Sequence, residues 1–303
     1  MNHSPLGRVG QLLEMIRFSH TLFALPFALL AAVMAWSANA RSRPPIAMRW
    51  QDLAGILICM IAARSAAMAF NRLADRRLDA ANPRTRNRHL PQGVLGVETV
   101  ALFTVACALG FLGGTLLFLP RNPLPLLAAV PVLTFLLAYS YAKRFTLLAH
   151  LWLGTALAMA PLGAWVALRA ELALAPLVLG LAVMLWVAGF DIIYACQDVD
   201  FDRTMRLHSV PARFGVARAL RIAAVCHLGM VLLLAALPAV FPGLGWIYGT
   251  GVAAIAMLLV YEHWLVSADD LTRVNRAFFH VNAVVSIGLF LVGTLDLWLK
   301  GKG

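Results

Sequence analysis

The chain has 303 residues, of which 61% are hydrophobic and only 13% are charged, and its mean hydropathy is +0.81. Soluble domains carry about 25% charged residues, so the composition excludes an ordinary soluble protein and indicates a polytopic all-α membrane protein. The net charge of +11 does not indicate nucleic-acid binding, because the basic residues lie in short loops between apolar runs. In such loops they set topology and contact anionic ligands or membrane lipid. The four cysteines form no CxxC pair and no cluster with histidine, which argues against a disulfide framework or a structural zinc site.

Nine apolar runs are long enough to cross a bilayer, which takes about 20 residues per helix. Proline, glycine and charged residues separate most of them, as in PRNP at 120–123 and FPGLG at 241–245. We therefore predict a single integral-membrane domain over residues 1–303, with nine transmembrane helices around a central cavity. The predicted spans are 18–40, 52–71, 96–119, 123–142, 147–168, 172–195, 216–241, 244–266 and 277–298.

The second span ends in three polar residues spaced four apart, Asn71, Asp75 and Asp79. Positions i, i+4 and i+8 lie on one face of an α-helix, so the amide and both carboxylates are predicted to point the same way. Arginines crowd this stretch, namely Arg72, Arg76, Arg77, Arg84, Arg86 and Arg88. Carboxylates beside so many cations indicate a site for metal ions together with a highly charged anion.

The sixth span ends in a similar way, at DIIYACQDVDFDR. The side chains that share one predicted helical face are Asp191, Tyr194, Asp198 and Asp202. Asp200 lies off that face and is expected to be solvated. The whole chain has only 14 acidic residues, and six of them fall in these two stretches. This concentration at two span ends indicates a functional site.

The distribution of charge predicts which side of the membrane carries the site. The N-terminal tail and the loops after even-numbered spans, with their flanks, together hold 17 of the 25 lysines and arginines, whereas the other loops and the C-terminus hold 7. The positive-inside rule therefore places the N-terminus in the cytoplasm. Both acidic stretches follow even-numbered spans, so they share one membrane face and can form one site. Lys143 and Arg144, after the fourth span, lie on that face too.

The chemistry these residues permit is a magnesium-assisted reaction of a diphosphate. Mg²⁺ prefers oxygen ligands and bridges carboxylates to substrate phosphates, while arginine and lysine neutralise the remaining charge. Diphosphate held in this way is a good leaving group. If it leaves an allylic carbon, the resulting cation needs a dry, apolar or aromatic pocket that keeps water away. A membrane bundle open to lipid would also admit a long prenyl tail.

Both acidic stretches resemble the motifs of the UbiA family of intramembrane aromatic prenyltransferases. The first resembles NxxxDxxxD and the second resembles DxxYxxxDxxxD. Four further segments resemble the 4-hydroxybenzoate polyprenyltransferase branch: RFSHTLFALPFA (17–28), NPRTRNRHLPQG (82–93), YSYAKRFTLLAHLWLG (139–154) and SVPARFG (209–215). The resemblance covers nearly all of the chain. It implies Mg²⁺-dependent transfer of a polyprenyl group to an aromatic ring, with release of diphosphate.

The resemblance also implies roles for particular residues. The Mg²⁺–diphosphate would be held by Asn71, Asp75, Asp79, Asp198 and Asp202. The diphosphate oxygens would also contact Lys143, Arg72 and Arg144. Asp191 and Tyr194 would lie nearer the aromatic acceptor, with Asp191 polarising its hydroxyl group. Many members of the family have aspartate where this chain has Arg72, which removes one potential metal ligand.

Arg64 lies seven residues before Asn71, hence on the same face of the helix and about two turns deeper. A charged residue inside a span usually faces a cavity, and an arginine there could bind the carboxylate of an aromatic acid through two hydrogen bonds. Snorkelling and a structural ion pair with a neighbouring helix are the alternative interpretations of Arg64, and Arg17 and His20 are competing candidates for the same role. Topology and lipid contact are the expected roles of Arg76, Arg77, Arg84, Arg86 and Arg88. Packing or interfacial positions are expected for His150, His208 and His280.

The leading hypothesis is an enzyme of the bacterial inner membrane, a polyprenyl diphosphate:aromatic acid transferase of ubiquinone or menaquinone biosynthesis. Its active site would lie on the cytoplasmic side, and 4-hydroxybenzoate would be the first acceptor to test. A second hypothesis keeps the chemistry but changes the acceptor to a naphthoate-type menaquinone precursor, haem or a chlorin, of which the menaquinone precursor is the main competitor. A third is a membrane transporter without catalysis, although transporter sites tend to lie near the midplane at broken helices rather than at span ends.

Overall fold

The computed structural model describes residues 5–16, 23–42, 45–267, 271, 274 and 281–300. Within those ranges the protein is helical and contains no β-strand. A membrane interior contains no water to hydrogen-bond unpaired backbone N–H and C=O groups. Helices are therefore the expected structure, because they pair these groups internally. The predicted all-α fold is therefore confirmed.

Thirteen α-helices are numbered here in chain order. They are α1 (Pro5–Met15), α2 (Leu25–Ala40), α3 (Trp50–Ala74), α4 (Arg76–Ala81), α5 (Val97–Thr115), α6 (Leu124–Ala142), α7 (Ala149–Arg169), α8 (Leu174–Ala195), α9 (Val199–Thr204), α10 (Val210–Phe214), α11 (Val216–Val240), α12 (Trp246–Leu265) and α13 (Asn282–Lys300). Single 3₁₀ turns follow α5 at Leu116–Phe118 and α8 at Cys196–Asp198.

Seven helices in the described ranges are long and apolar enough to cross a membrane. They are α3, α5 with its 3₁₀ turn, α6, α7, α8 continued through α9, α11 and α13. The first predicted span corresponds to α2, which has 16 residues, and the eighth corresponds to α12. α12 has 20 residues but carries Glu262 and His263 near its end, which lowers its hydropathy. A multi-pass membrane protein is thus shown, whereas the count of nine spans is not confirmed.

The centre of the bundle is built around α2, which packs on α7, α8 and α13. Its buried side chains include Phe27, Leu30 and Met34, and Phe27 lies 5.1 Å from the ring of Trp186 on α8. Large apolar residues remain exposed on the outer faces, such as Leu127 at 70% and Trp264 at 78%. Contiguous exposed apolar surface of this kind faces lipid in a membrane protein.

Helices α7 and α8 are in close backbone contact at Gly154. A Cβ atom added there would overlap the carbonyl oxygen of Met184 on α8. Small residues at such crossings let two membrane helices bring their backbones together. This contact fixes α7 against α8 close to the ends that carry the polar site described next.

Candidate active site

The first acidic stretch does not continue as one uninterrupted helix. α3 ends at Ala74, and Asp75 occupies the junction with α4 at φ −94° and ψ 5°. Hydrogen bonds with helical i to i−4 spacing still run from Asp75 N to Asn71 O and from Asp79 N to Asp75 O. The three motif residues therefore stay close in spite of the break, and the Asn71 side-chain amide donates to Asp75 Oδ2 at 3.0 Å.

Asp75 is partly buried and lies beside Arg144. The guanidinium of Arg144 donates to Asp75 Oδ1 at 3.1 Å and to the carbonyl oxygen of Ala74 at 2.7 Å. Burial raises the pKa of Asp75 above its usual value, and the hydrogen bond from Arg144 only partly opposes this effect. The carboxylate would therefore gain from an additional cation.

Asp79, on α4, is 6% exposed and faces two arginines. Arg88 Nη1 donates to Asp79 Oδ1 at 2.6 Å, and Arg72 Nη1 lies 3.9 Å from Asp79 Oδ2. The hydroxyl of Thr85 donates to the main-chain carbonyl oxygen of Asp79 at 3.1 Å. The segment that follows α4 is thus folded back over the carboxylate.

The second acidic stretch also changes helix type, because the 3₁₀ turn at Cys196–Asp198 separates α8 from α9. Arg84, from the first stretch, reaches across to it. Its Nε donates to Asp198 Oδ1 at 2.8 Å, its Nη2 pairs with Asp198 Oδ2, and its Nη1 donates to the Tyr194 hydroxyl at 2.8 Å. Asn82 Nδ2 adds a hydrogen bond to Asp198 at 3.0 Å. The structure therefore brings the two stretches together, as their placement after even-numbered spans predicts.

The environment of Arg84 changes its protonation equilibrium. Burial by itself lowers the pKa of Arg84, but the hydrogen bond and the negative charge of Asp198 outweigh burial and hold this pKa above its usual value. The guanidinium also lies 5.0 Å from the centre of the Tyr194 ring. Arg84 thus acts as the resident counter-ion of the second stretch.

Lys143 lies within electrostatic range of a carboxylate from each acidic stretch. Its charge acts on both Asp75 and Asp198, and its ammonium group makes no hydrogen bond or ion pair within the described part of the chain. The main-chain carbonyl oxygen of Lys143 accepts a hydrogen bond from His208 N at 2.7 Å. The ammonium is therefore available to an anion bound between the carboxylates.

The carboxylate oxygens suit Mg²⁺, which prefers oxygen ligands. Asp79 Oδ2 and Asp202 Oδ2 are buried and accept no hydrogen bond from the described residues, although such buried acceptors are normally paired. In those same ranges, no three His, Cys, Asp or Glu side chains converge on one ion-sized position. The two buried oxygens of Asp79 and Asp202 fit a divalent cation.

Asp191, on α8, has a different partner. His150 Nδ1, at the start of α7, lies 2.6 Å from Asp191 Oδ2. The other ring nitrogen, Nε2, accepts a hydrogen bond from Val210 N at 3.3 Å. The His150 side chain is 2% exposed and that of Asp191 is 15% exposed. Asp191 thus stands apart from the carboxylates that face the arginines.

An apolar cavity of about 250 Å³ opens beneath the polar site. Its walls come from α3, α5, α6 and α7, and it extends along α3 from Asn71 to Ile56, a rise of about 22 Å at 1.5 Å per residue. Phe118 lines the far end of the cavity, next to Gly55 and Ile56. Among the lining residues that the structure describes, Arg64 carries the only charge, and its Nε is buried there without a hydrogen-bond partner.

Sequence reasoning missed several residues of this site. The sequence predicts topology and lipid contacts for Arg84 and Arg88, yet both bind carboxylates. It predicts a packing or interfacial position for His150, which is buried but also contacts Asp191. Tyr139 lines the cavity near its polar end, where the charges of Asp75, Asp191 and Arg72 act on it. These residues all fall within the segments 82–93 and 139–154, and the resemblance of those segments to the family was the signal in the sequence that could have pointed to them.

The expected exposure of Asp200 is confirmed. Arg17, His20 and His280 lie outside the described residues.

Comparison with known proteins identifies the family. A family model described as "UbiA prenyltransferase family" matches residues 24–284, which are most of the chain. The chain belongs to the UbiA prenyltransferase family. Similar relatives of this UbiA prenyltransferase include the 4-hydroxybenzoate octaprenyltransferases of Salmonella paratyphi B and Salmonella newport. Each is 34% identical over 236 residues, which cover 78% of this chain and 79% of the relative.

Solved structures show the same fold as this UbiA prenyltransferase. The apo structure of a UbiA homolog from Aeropyrum pernix K1 has a TM-score of 0.79 and 31% sequence identity, and the match covers 92% of this chain and 98% of that one. A UbiA homolog from Archaeoglobus fulgidus bound to DMAPP and Mg²⁺ has a TM-score of 0.69 at 18% identity, covering 95% and 99%. At that identity the second likeness shows the fold alone.

The pairing of Arg84 with Asp198 predicts that Mg²⁺ can replace the Arg84 guanidinium as the cation beside Asp198. Arg84→Met leaves Asp198 without its counter-ion, so we expect the melting temperature in detergent to fall by roughly 3–6 °C. Addition of Mg²⁺ with a non-hydrolysable prenyl diphosphate analogue should then raise the melting temperature of this variant more than that of the wild type.

The matched control for that experiment is Arg86→Met. Arg86 is exposed, and its side chain makes no ion pair within the described part of the chain. This variant should behave like the wild type with and without Mg²⁺. Equal stabilisation by Mg²⁺ in all three proteins would contradict the exchange.

Proposed function

We propose that this protein transfers a polyprenyl group from polyprenyl diphosphate to an aromatic acid, with 4-hydroxybenzoate as the acceptor to test first. The observation that carries the proposal is the position of a two-sided carboxylate site directly above an apolar cavity that contains one arginine. The names of the Salmonella relatives support the acceptor, and the DMAPP and Mg²⁺ in the Archaeoglobus homolog support the donor and the metal. We place the reaction in quinone biosynthesis, on the cytoplasmic side of a bacterial inner membrane.

The diphosphate would lie between the two acidic stretches. Asn71, with the carboxylates of both stretches, would hold Mg²⁺, namely Asp75, Asp79, Asp198 and Asp202. Bound there, Mg²⁺ would supply positive charge that stabilises the diphosphate as it leaves. Lys143 would contact the diphosphate oxygens directly, with Arg72 and Arg144 beside it. Arg84 and Arg88 would exchange partners at the same time, because they occupy carboxylate oxygens that the ions would use.

The apolar cavity suits the prenyl chain. Its walls offer no water to an allylic cation formed next to the site, and water would otherwise capture that cation. The prenyl chain of the donor would run along α3 from the level of Asn71 toward Phe118, and the donor's diphosphate would lie outside the apolar region. A lipid-borne donor would thereby keep its tail in an apolar environment throughout.

The acceptor would bind between Arg64 and Asp191. Arg64 would bind the carboxylate, and its unsatisfied Nε provides a free donor for this purpose. Asp191 would accept the hydrogen bond of the acceptor hydroxyl, with Tyr194 nearby, and would raise the electron density of the ring at the carbon next to that hydroxyl.

The reaction balances without any further reagent. The bond between the allylic carbon and the diphosphate oxygen breaks, and its electron pair leaves with the diphosphate. A ring π pair forms the new carbon–carbon bond while the hydroxyl proton passes to Asp191. The proton on the alkylated ring carbon then goes to the departing diphosphate, and the oxygen takes back its proton from Asp191. The products are the prenylated acid and protonated diphosphate.

The direct test is an assay in detergent or native membranes. Geranyl diphosphate or a longer homologue, 4-hydroxybenzoate and Mg²⁺ are expected to yield prenylated 4-hydroxybenzoate by mass spectrometry, and EDTA should abolish the product. Asp75→Ala and Asp191→Ala should each lose activity by about 100-fold or more while remaining folded.

Asp200→Ala is the control for these variants, because Asp200 is exposed and lies in the same segment; it should retain activity. Full activity in Asp75→Ala or Asp191→Ala would rule out the proposed roles. Product only with a naphthoate-type acceptor would keep the chemistry and change the acceptor. No turnover with any acceptor would favour the transport hypothesis.

The proposed role of Arg64 predicts a change in acceptor preference. In Arg64→Met, the ratio of kcat/KM for 4-hydroxybenzoate to that for the neutral 4-hydroxybenzamide should fall roughly 10- to 100-fold, because a charged hydrogen bond is lost. The KM for the prenyl diphosphate should stay the same. An unchanged ratio in Arg64→Met, with a fall in Arg17→Met or His20→Ala, would transfer the role to that residue.

The size of the cavity should limit the length of the prenyl group, and one substitution that fills part of the cavity should lower that limit. Gly163, on α7, lines the cavity, and a Cβ atom there meets nothing within 4 Å. Gly163→Leu should therefore fold normally and fill part of the cavity, so that competition between a short and a long prenyl diphosphate shifts toward the short one. Gly113 on α5 also has open space at its Cβ but does not line the cavity, so Gly113→Leu should leave the length preference unchanged. Identical preferences in both variants would place the prenyl chain elsewhere.

A further inference from the structure

His150 is buried at the start of α7 and is joined to the protein at both ring nitrogens. Its Nε2 receives the main-chain N–H of Val210 at 3.3 Å, and its Nδ1 lies 2.6 Å from Asp191 Oδ2. A main-chain N–H can only donate, so Nε2 must carry the lone pair and Nδ1 must carry the proton. The backbone of Val210 thereby assigns the tautomer, and His150 donates its hydrogen bond to Asp191.

This arrangement leaves one oxygen of Asp191 free. In the described part of the chain, Oδ2 accepts from His150, and Oδ1 has no hydrogen-bond partner. A carboxylate held by one oxygen has its direction fixed, and the other oxygen can accept a hydrogen bond from a ligand. His150 itself is 2% exposed and cannot reach a ligand in the cavity without moving.

The segment that orients His150 also contacts the other parts of the site. Leu207 N donates to the carbonyl oxygen of Asp202 at 2.8 Å, and His208 N donates to the carbonyl oxygen of Lys143 at 2.7 Å. Two residues later, Val210 N donates to His150. One short stretch of main chain therefore aligns the diphosphate side of the site with the acceptor side. Ser209, within that stretch, is fully buried and caps α10.

We infer that His150 is a positioning residue for the prenyl transfer, which aims the carboxylate of Asp191 at the hydroxyl group of the aromatic acceptor. His150 keeps its Nδ1 proton throughout the reaction and takes none from the acceptor, whose hydroxyl proton passes to Asp191 Oδ1 and back. The inference rests on the proposed function, because it gives Asp191 the role of base toward that hydroxyl. Residues that orient a reacting group in this way typically contribute about 10- to 100-fold.

The test compares two substitutions of His150. His150→Leu removes the donor and should lower kcat roughly 10- to 100-fold, without changing the KM for the prenyl diphosphate. His150→Gln keeps an amide N–H that can donate to Asp191 and an oxygen that can accept from Val210 N, so it should recover most of kcat. Loss of the same size in both variants, or no loss in His150→Leu, overturns the inference.

A series of acceptors separates positioning from general damage. Fluorinated 4-hydroxybenzoates have more acidic hydroxyl groups and depend less on a well-placed base. The ratio of kcat in His150→Leu to kcat in the wild type should therefore rise toward one as the hydroxyl becomes more acidic. A ratio that stays constant along the series would mean that the substitution only damages the fold.

The control variant is His227→Leu, at another buried histidine whose partners are His263, the carbonyl oxygen of Trp186 and, at 3.8 Å, Glu262, none of which is a proposed site residue. It should lower thermal stability without any dependence on acceptor acidity. Failure of the inference is also distinguishable from failure of the proposed function. A wild-type protein that forms no product with any acceptor refutes the function, whereas an active wild type with a flat series refutes the role of His150 alone.

Discussion

Carboxylates at the ends of membrane helices need cations close by, because a partly buried negative charge loses much of its hydration. At an effective dielectric constant of about 20, two opposite charges 4 Å apart attract by about 4 kcal/mol. Asp79 and Asp198 meet this need with Arg88 and Arg84 from one segment, and Asp75 meets it with Arg144. The loops that carry these arginines therefore fold over the mouth of the bundle, and their position follows from the charges beneath them.

The polar mouth and the cavity below it are two different chemical environments, one charged and one apolar. In the described part of the chain, the clustered carboxylates and arginines lie at helix ends and in loops, whereas the walls of the cavity below are apolar except near Arg64. An amphiphilic substrate has only one orientation that matches both parts. For the proposed substrate, this division would set the direction of binding before any specific hydrogen bond forms.

The sequence predicted the helical membrane fold and the meeting of two acidic stretches, because hydropathy and spacing are local signals. The breaks at Asp75 and at Cys196–Asp198 were not predictable from i, i+4 spacing, since both stretches also fit a continuous helix. The partners of the carboxylates were missed for a related reason. Arg84 and Arg88 look like topology signals until the chain folds back, and the contact of His150 with Asp191 joins residues 41 positions apart. The roles of the individual residues remain predictions from the resemblance.

The contact at Gly154 bears on how such an enzyme can change over time. Gly154 lies about one turn beyond His150, and Met184 lies about two turns before Asp191, so the backbone contact between α7 and α8 holds both residues at a fixed spacing. Side chains that line the cavity can vary in size and alter which substrate fits. A side chain at Gly154 would instead push the two helices apart. Selection on this position should therefore be strict although it never meets a substrate, while the walls of the cavity are free to diversify.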